Sequence, residues 1–148
     1  MENDTHLRKK STVAIVVLAC CAAFLASCVT GGRQTASYPL VKDGKTASCI
    51  VLPDNAGPVE THAAGELALY LEKITGAKVA IGNAPSKELY NIYLGTTAAK
   101  NMPRSSAVDQ AVTTLKDEGF VLAADKDGLL VIGKQPIGVL YGAYEILK

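Results

Sequence analysis

The chain has no tryptophan, two phenylalanines and two histidines among its 148 residues, and its formal net charge is only +1. The lysines are scattered singly, without a basic stripe or interleaved aromatic residues, so nucleic-acid binding has no electrostatic support. His6 lies in an N-terminal segment that we expect to be removed, which leaves His62 as the only histidine of the mature chain. A zinc site with two histidines from one chain is therefore excluded.

The part of the chain that follows the N-terminal segment contains too few cysteines to form a disulfide. Of the four cysteines, Cys20, Cys21 and Cys28 lie within the first 28 residues, and only Cys49 follows. No disulfide within the mature chain is therefore expected. Cys49 lies in an apolar run, where a buried and unreactive thiol is expected.

The chain is too short for some folds and lacks the patterns of some enzymes. A (β/α)₈ barrel needs about 250 residues, whereas this length suits one ordinary domain. Glycosidase carboxylates face one another about 5–9.5 Å apart, but Asp117 and Glu118 are adjacent, and Asp125 and Asp127 share a turn that uses such side chains locally. No Gly-x-Ser-x-Gly motif is present either. We predict no catalytic residue, cofactor or metal ligand.

The N-terminus has the pattern of a secretory signal. Three basic residues, Arg8 to Lys10, precede an apolar run over residues 12–26 that ends in Ser27-Cys28. The Leu-Ala-Ser-Cys ending resembles a lipobox, which implies that Cys28 is diacylated and begins the mature protein. An uncleaved membrane helix is the alternative, but the run is shorter than the ~20 residues of a span. Cleavage before Cys20 would leave a very short apolar region, so Cys28 is preferred.

The pattern divides the chain into a signal peptide at 1–27, a small, polar and flexible tether at 28–41 and a folded domain at 42–148. Val29 does not resemble the acidic inner-membrane retention signal, which favours the outer membrane or cell surface. In the domain, the patterns predict strands at 47–52, 78–81, 91–94, 119–124 and 129–132, and helices at 59–75, 105–115 and 137–148. This order indicates an α+β fold, a small mixed sheet with helices packed on one face.

Three further patterns have simpler interpretations than a binding site. The sequence of residues 128–134 nearly matches the phosphate-binding motif G-x-x-x-x-G-K-[ST]. Gln135 replaces the required Ser or Thr, however, and the residues between the two glycines have the pattern of a strand. His62 and Glu66, with Glu60 nearby, lack the spacing of a metal motif and are expected to be an exposed helical pair. For the tyrosines at 90, 93, 141 and 144, core packing or a domain interface is the default over sugar stacking.

Several segments, taken in order, resemble a known domain family. These are Ala63–Gly76 (AAGELALYLEKITG), Ile92–Gly95 (IYLG), Asp117–Leu122 (DEGFVL), Leu130–Gly133 (LVIG) and Gly138–Leu147 (GVLYGAYEIL). The pattern is similar to the N-terminal domain of family 67 α-glucuronidases and to the second domain of family 20 β-hexosaminidases. It covers nearly all of residues 42–148, and its most specific parts are YLEKITG and GVLYGAYEIL.

The resemblance implies an α+β domain that packs against a following (β/α)₈ barrel, which holds the catalytic carboxylates. No catalytic residue carries over, because the barrel positions are absent from this sequence. We therefore expect a lipid-anchored, non-catalytic domain of a glycoside hydrolase, either a truncated piece or a free accessory protein. Its expected partners are a catalytic barrel in cis or in trans, the membrane through its lipid and a polysaccharide. A stand-alone carbohydrate-binding or envelope interaction lipoprotein is the alternative, and an independent small enzyme has the least support.

Overall fold

The computed structural model describes residues 37–97, 99 and 102–148. The strands are β1 (Val41–Lys42), β2 (Lys45–Thr46), β3 (Ser48–Val51), β4 (Ala80–Gly82), β5 (Tyr90–Thr96), β6 (Phe120–Ala124) and β7 (Gly128–Gly133). The helices are α1 (Pro58–Thr75), α2 (Ser106–Thr113) and α3 (Pro136–Ile146). Each strand and helix expected from the sequence is present, with ends that differ by a few residues.

The main sheet has five strands in the order β4-β3-β5-β7-β6. The pairs β3–β4, β3–β5 and β5–β7 are parallel, and β6 joins β7 as an antiparallel edge strand. This mixed sheet with three helices confirms the predicted α+β class. The parallel pairings follow from the helices, because parallel neighbours need a long crossover connection rather than a tight turn.

A second, two-stranded sheet of β1 and β2 was not predicted. Asp43 and Gly44 connect its strands, and both have positive φ, at 52° and 70°. Two positive φ values are the requirement of a type I′ turn, for which Asp-Gly is a preferred sequence. The signal was present in the sequence, but each flanking strand has only two residues and shows no alternation.

Helix α1 begins with Pro58, whose missing N–H is not needed in the first turn, and ends at Gly76 with φ of 75°. Ala64, Leu67 and Leu71 face the sheet and are buried, as the spacing predicts. Ile74 was expected on the same stripe but is 67% exposed. No residue of α1 after Leu71 is buried, so the last turn extends past the elements that cover the stripe.

Alternating side chains of β3, β5 and β7 divide the interior into two cores. Ile50, Ile92 and Val131 point to one face, where they pack with apolar residues of α1 and α3. Their neighbours Cys49, Tyr93, Leu130 and Ile132 point to the other face. Central strands buried on both faces are typical of parallel sheets.

Helix α2 lies on the second face, where Val108 and Val112 pack with Val51, Tyr93 and Ile132. The prediction that all helices share one face was therefore wrong in this detail. The reason is β5, whose middle residues are buried in both directions and need cover on each side of the sheet.

Glu60 joins the start of α1 to the end of β5. Its side chain is only 5% exposed, and its Oε2 accepts a hydrogen bond from the Gly57 N–H at 2.8 Å. Its Oε1 accepts from the Thr96 N–H at 3.0 Å. The carboxylate thus satisfies a backbone donor at the helix start and a second donor where β5 leaves the sheet.

The first described residues pack onto the amino-terminal end of β5. Tyr38 stacks on Tyr90 with ring centroids 4.9 Å apart and planes 4° from parallel. The Tyr90 hydroxyl donates to the Asp125 carbonyl at 2.9 Å, and the Ser48 hydroxyl donates to the Leu40 carbonyl at 3.0 Å. Packed structure therefore includes Tyr38 and Leu40, before the start of β1.

Among the residues described, no helix has the length and apolar character needed to cross a membrane.

We predict that Glu60→Ala destabilises the domain by about 1–3 kcal/mol, because two N–H groups lose their acceptor. Chemical denaturation of the two proteins measures this difference. Glu72→Ala is the control: it makes the same change on the same helix, and no hydrogen bond involves the Glu72 side chain in the described part of the chain. Equal stability of the Glu60 and Glu72 variants would contradict the prediction.

Candidate functional site

Most of the exposed large apolar residues of the described chain belong to two helices that pack against each other. Nine large hydrophobic side chains of the described residues are exposed, and seven of them belong to α1 or α3. These seven are Val59, Leu69, Tyr70, Ile74, Ile137, Tyr141 and Tyr144. We call the outer surface of the two helices, defined by these residues, the helix face.

The sequence of α3 explains why this surface is apolar. Its 11 residues, PIGVLYGAYEI, include one charged side chain, Glu145. Val139 and Ala143 pack inward against the sheet, while Ile137 and Tyr141 point outward and are exposed. A helix that is apolar around most of its circumference is normally buried on most sides, whereas α3 packs against the sheet and α1 and leaves Ile137, Tyr141 and Tyr144 exposed.

A hydrogen bond joins the two helices across the helix face. The Tyr144 hydroxyl on α3 donates to Glu66 Oε2 on α1 at 3.1 Å. This hydrogen bond is the main cause that raises the pKa of Tyr144 above 10.0, with smaller contributions from burial and from the charge of Glu66. The ring of Tyr144 is held in place while 38% of the residue stays exposed.

A second aromatic ring on the helix face also has a polar neighbour. The Lys73 ammonium lies 4.8 Å from the centroid of the Tyr70 ring, within the range of a cation–π interaction. The polar groups that contact Tyr70 and Tyr144 are Lys73 and Glu66, and both belong to α1. The two rings therefore stay partly exposed while their polar neighbours are already paired within the domain. Such a surface suits a large apolar partner with a polar rim.

The four tyrosines singled out from the sequence have different surroundings. Tyr93 is buried in the core beneath α2, as expected, and burial raises its pKa. Tyr90 stacks on Tyr38, and burial is the first cause that raises its pKa as well. Tyr141 and Tyr144, for which core packing or a domain interface was expected, both lie exposed on the helix face.

The acidic and histidine side chains singled out on α1 have different surroundings. His62 is exposed, Glu66 bonds to Tyr144, and Glu60 is engaged by two backbone N–H groups. The described residues contain no cluster of three or more metal-ligating side chains. The expected exposed pair of His62 and Glu66 is not formed either, because Glu66 turns to α3.

The remaining candidates have structural roles. Asp125 Oδ1 accepts from the Asp127 and Gly128 N–H groups at 2.8 and 3.1 Å, as expected for a turn residue. Residues 128–133 form β7, so the near match to the phosphate-binding motif does not correspond to a phosphate-binding loop. Cys49 is buried, with its Sγ 3.1 Å from Asn91 Oδ1. Asp117 and Glu118 are exposed in the turn before β6.

The proposed lipid attachment residue, Cys28, lies outside the described residues, as do the signal peptide and most of the tether.

Sequence reasoning missed the role of Glu60. It treated this residue as an exposed neighbour of His62, whereas the structure buries it at the third position of α1. A glutamate three residues after a helix N-cap, just before an apolar run, is the sequence signal of a capping interaction. The N-cap here is Gly57, which lacks the usual hydroxyl and so hides the motif.

The family model described as "Glycosyl hydrolase family 67 N-terminus" matches residues 40–146, nearly the whole described domain. The chain belongs to this family. The match includes both helices of the helix face and all strands of the main sheet. No curated protein matches the sequence.

Two solved structures are similar to part of this chain. A family GH115 4-O-methyl-α-glucuronidase with specificity for decorated arabinogalactans is similar, with a TM-score of 0.53, 25% sequence identity and 72% of this chain covered. A GH138 enzyme targeting pectin rhamnogalacturonan II gives a TM-score of 0.49 at 17% identity over 68% of this chain. The present chain corresponds to only 13% and 12% of the lengths of those two chains.

Proposed function

We propose that this chain is a lipid-anchored, non-catalytic N-terminal domain of a glycoside hydrolase system. Its helix face docks on a catalytic (β/α)₈ barrel, which is supplied in cis by a longer polypeptide or in trans by a separate one. The system acts in polysaccharide degradation at the cell envelope.

The helix face is the observation that carries this proposal. Seven of nine exposed large apolar residues lie on two adjacent helices, and their polar neighbours are already paired within the domain. Contiguous exposed apolar surface with a polar rim marks sites of protein association. The part of the similar α-glucuronidase that matches this chain is only 13% of that enzyme's length, which agrees with a partner much larger than this domain.

The placement of the acidic residues supports a non-catalytic role. Glu60 and Asp125 hold backbone N–H groups, and Glu66 holds a tyrosine hydroxyl. A glycosidase pair needs one carboxylate that donates a proton and another that attacks or activates water, both facing the same sugar. Each of these three carboxylates already has a hydrogen-bond partner within the domain, and none is paired with another across a sugar-sized gap.

Anchoring follows from the sequence alone. A basic segment, a short apolar run and the Leu-Ala-Ser-Cys ending support cleavage before Cys28 and its acylation. One or more acyl chains would hold the domain at the outer membrane or cell surface. The polar tether would then separate the domain from the lipid.

We expect the purified chain to show no turnover of aryl glucuronides or aryl N-acetylhexosaminides. The measurement is release of the aryl group, with an active α-glucuronidase and an active β-hexosaminidase as positive controls. Turnover that persists through purification to a single species would refute the non-catalytic assignment.

We expect Ile74→Glu to abolish co-purification with the barrel encoded by the adjoining reading frame, because a charge would be buried at the interface. Ala111→Glu is the control. Ala111 is exposed on α2, which covers the opposite face of the sheet from α1 and α3, so a glutamate there should leave co-purification intact. Equal binding by the two variants, or the absence of any barrel-coding stretch nearby, would contradict the docking proposal.

We expect Cys28→Ala to prevent incorporation of a radiolabelled fatty acid and to release the domain from the membrane fraction. Cys20→Ala should leave labelling unchanged, because Cys20 is removed with the signal. Labelling that is lost with Cys20→Ala and kept with Cys28→Ala would move the attachment site to Cys20.

A further inference from the structure

The parallel strands β3, β5 and β7 all end at one edge of the sheet, and the segments that follow them surround a cavity of about 450 Å³. Its hydrogen-bonding side chains are Asn55, Glu60, Thr96, Thr97, Lys134 and Gln135. We call this cavity the carboxyl-end groove. It contains none of the residues that define the helix face.

The topology makes this edge a favourable place for a ligand. The chain leaves β3 toward α1 on one face of the sheet, and it leaves the adjacent β5 toward α2 on the other. The two connections diverge and open a crevice outside the strand ends. Open sheets with parallel strands bind ligands at such a switch point.

The walls of the groove are held by hydrogen bonds that do not involve a ligand. Glu60 connects the Gly57 and Thr96 N–H groups, and the Thr97 N–H donates to the Gly133 carbonyl at 3.0 Å. Arg104 Nη1 donates to the Thr97 carbonyl at 3.2 Å. A groove shaped in advance loses little conformational entropy on binding, which helps a small ligand with few contacts to bind.

The chemistry of the groove favours a neutral ligand with many hydroxyl groups. Among the described residues that line it, the two charged side chains, the Glu60 carboxylate and the Lys134 ammonium, are opposite in sign. Each Glu60 oxygen accepts one hydrogen bond in the described structure, and a carboxylate has about four acceptor positions, so capacity remains for a hydroxyl donor. Lys134 makes no ion pair among the described residues.

Size and charge exclude other classes of ligand. Pockets for small molecules usually measure about 300–1,000 Å³, so the groove suits one sugar ring rather than a long chain buried along its length. A phosphate or another strong anion would approach the buried carboxylate of Glu60, which penalises it. The two amides, two threonine hydroxyls, ammonium and carboxylate together match the alternating donors and acceptors of a sugar.

We infer that the carboxyl-end groove is a subsite for one neutral sugar unit of a glycan. Because the groove and the helix face share no defining residue, this inference does not depend on docking to a catalytic barrel. With a barrel bound at the helix face, the groove would hold a glycan branch while the barrel acts elsewhere on it.

The test is a titration of the ¹⁵N-labelled full chain, in a detergent without a sugar headgroup, followed by amide chemical shifts. The probes are methyl β-D-xylopyranoside and methyl β-D-glucopyranoside, with sodium glucuronate, inorganic phosphate and glycerol for comparison. We expect saturable shifts for the neutral glycosides in the millimolar range, centred on Gly57, Thr96, Thr97 and Gln135.

Asn55→Ala and Lys134→Met should each weaken binding of the neutral glycoside about fivefold, because each removes one hydrogen-bonding group. Lys87→Met is the control, since Lys87 is exposed and lies outside the groove. Unchanged affinity in both groove variants would overturn the assignment.

Four other results would also overturn it. These are no saturable shift with either neutral glycoside, shifts centred on Tyr70 and Tyr144, equal shifts with glycerol, and stronger binding of phosphate or glucuronate than of the neutral glycosides. Failure here would leave the docking proposal unaffected, because that proposal is tested by co-purification through the helix face.

Discussion

The burial of β5 on both faces is the constraint on which the rest of this domain depends. Ile92 and Leu94 point into one core and Tyr93 into the other, so neither face of the sheet can be left to solvent. Helices α1 and α3 cover one face, and α2 covers the other. The Glu60 carboxylate then fixes where β5 ends relative to α1, because one side chain satisfies donors from both elements.

The helices that cover the first face of the sheet have an outer surface that is itself partly apolar. Helix α3 is apolar around most of its circumference, and the sheet buries only one side of it. An isolated domain of this size would ordinarily carry charges there, because large exposed apolar patches favour association. The family membership offers a reason for the difference: related domains are small parts of much longer enzymes.

The helices and strands of the main sheet were predictable because their signals are local. Pro58 and Gly76 bound α1, and the turn before Gly128 defines the last hairpin. The parallel pairings and the face chosen by α2 were not predictable, since they depend on contacts between distant segments. The direction of Tyr144 and the burial of Glu60 were missed for the same reason: each is set by a partner on another element, Glu66 for the tyrosine and the Thr96 N–H for the glutamate.

The stacking of Tyr38 on Tyr90 has a consequence for how the two ends of the sheet can be used. Tyr90 is the first residue of β5, and the carboxyl-end groove begins at Thr96, the last. Seven residues of parallel strand span roughly 20 Å, so the stacked tyrosines and the groove lie at opposite ends of the central strand. A ligand in the groove and a contact made at the tyrosine pair would therefore not compete for the same surface.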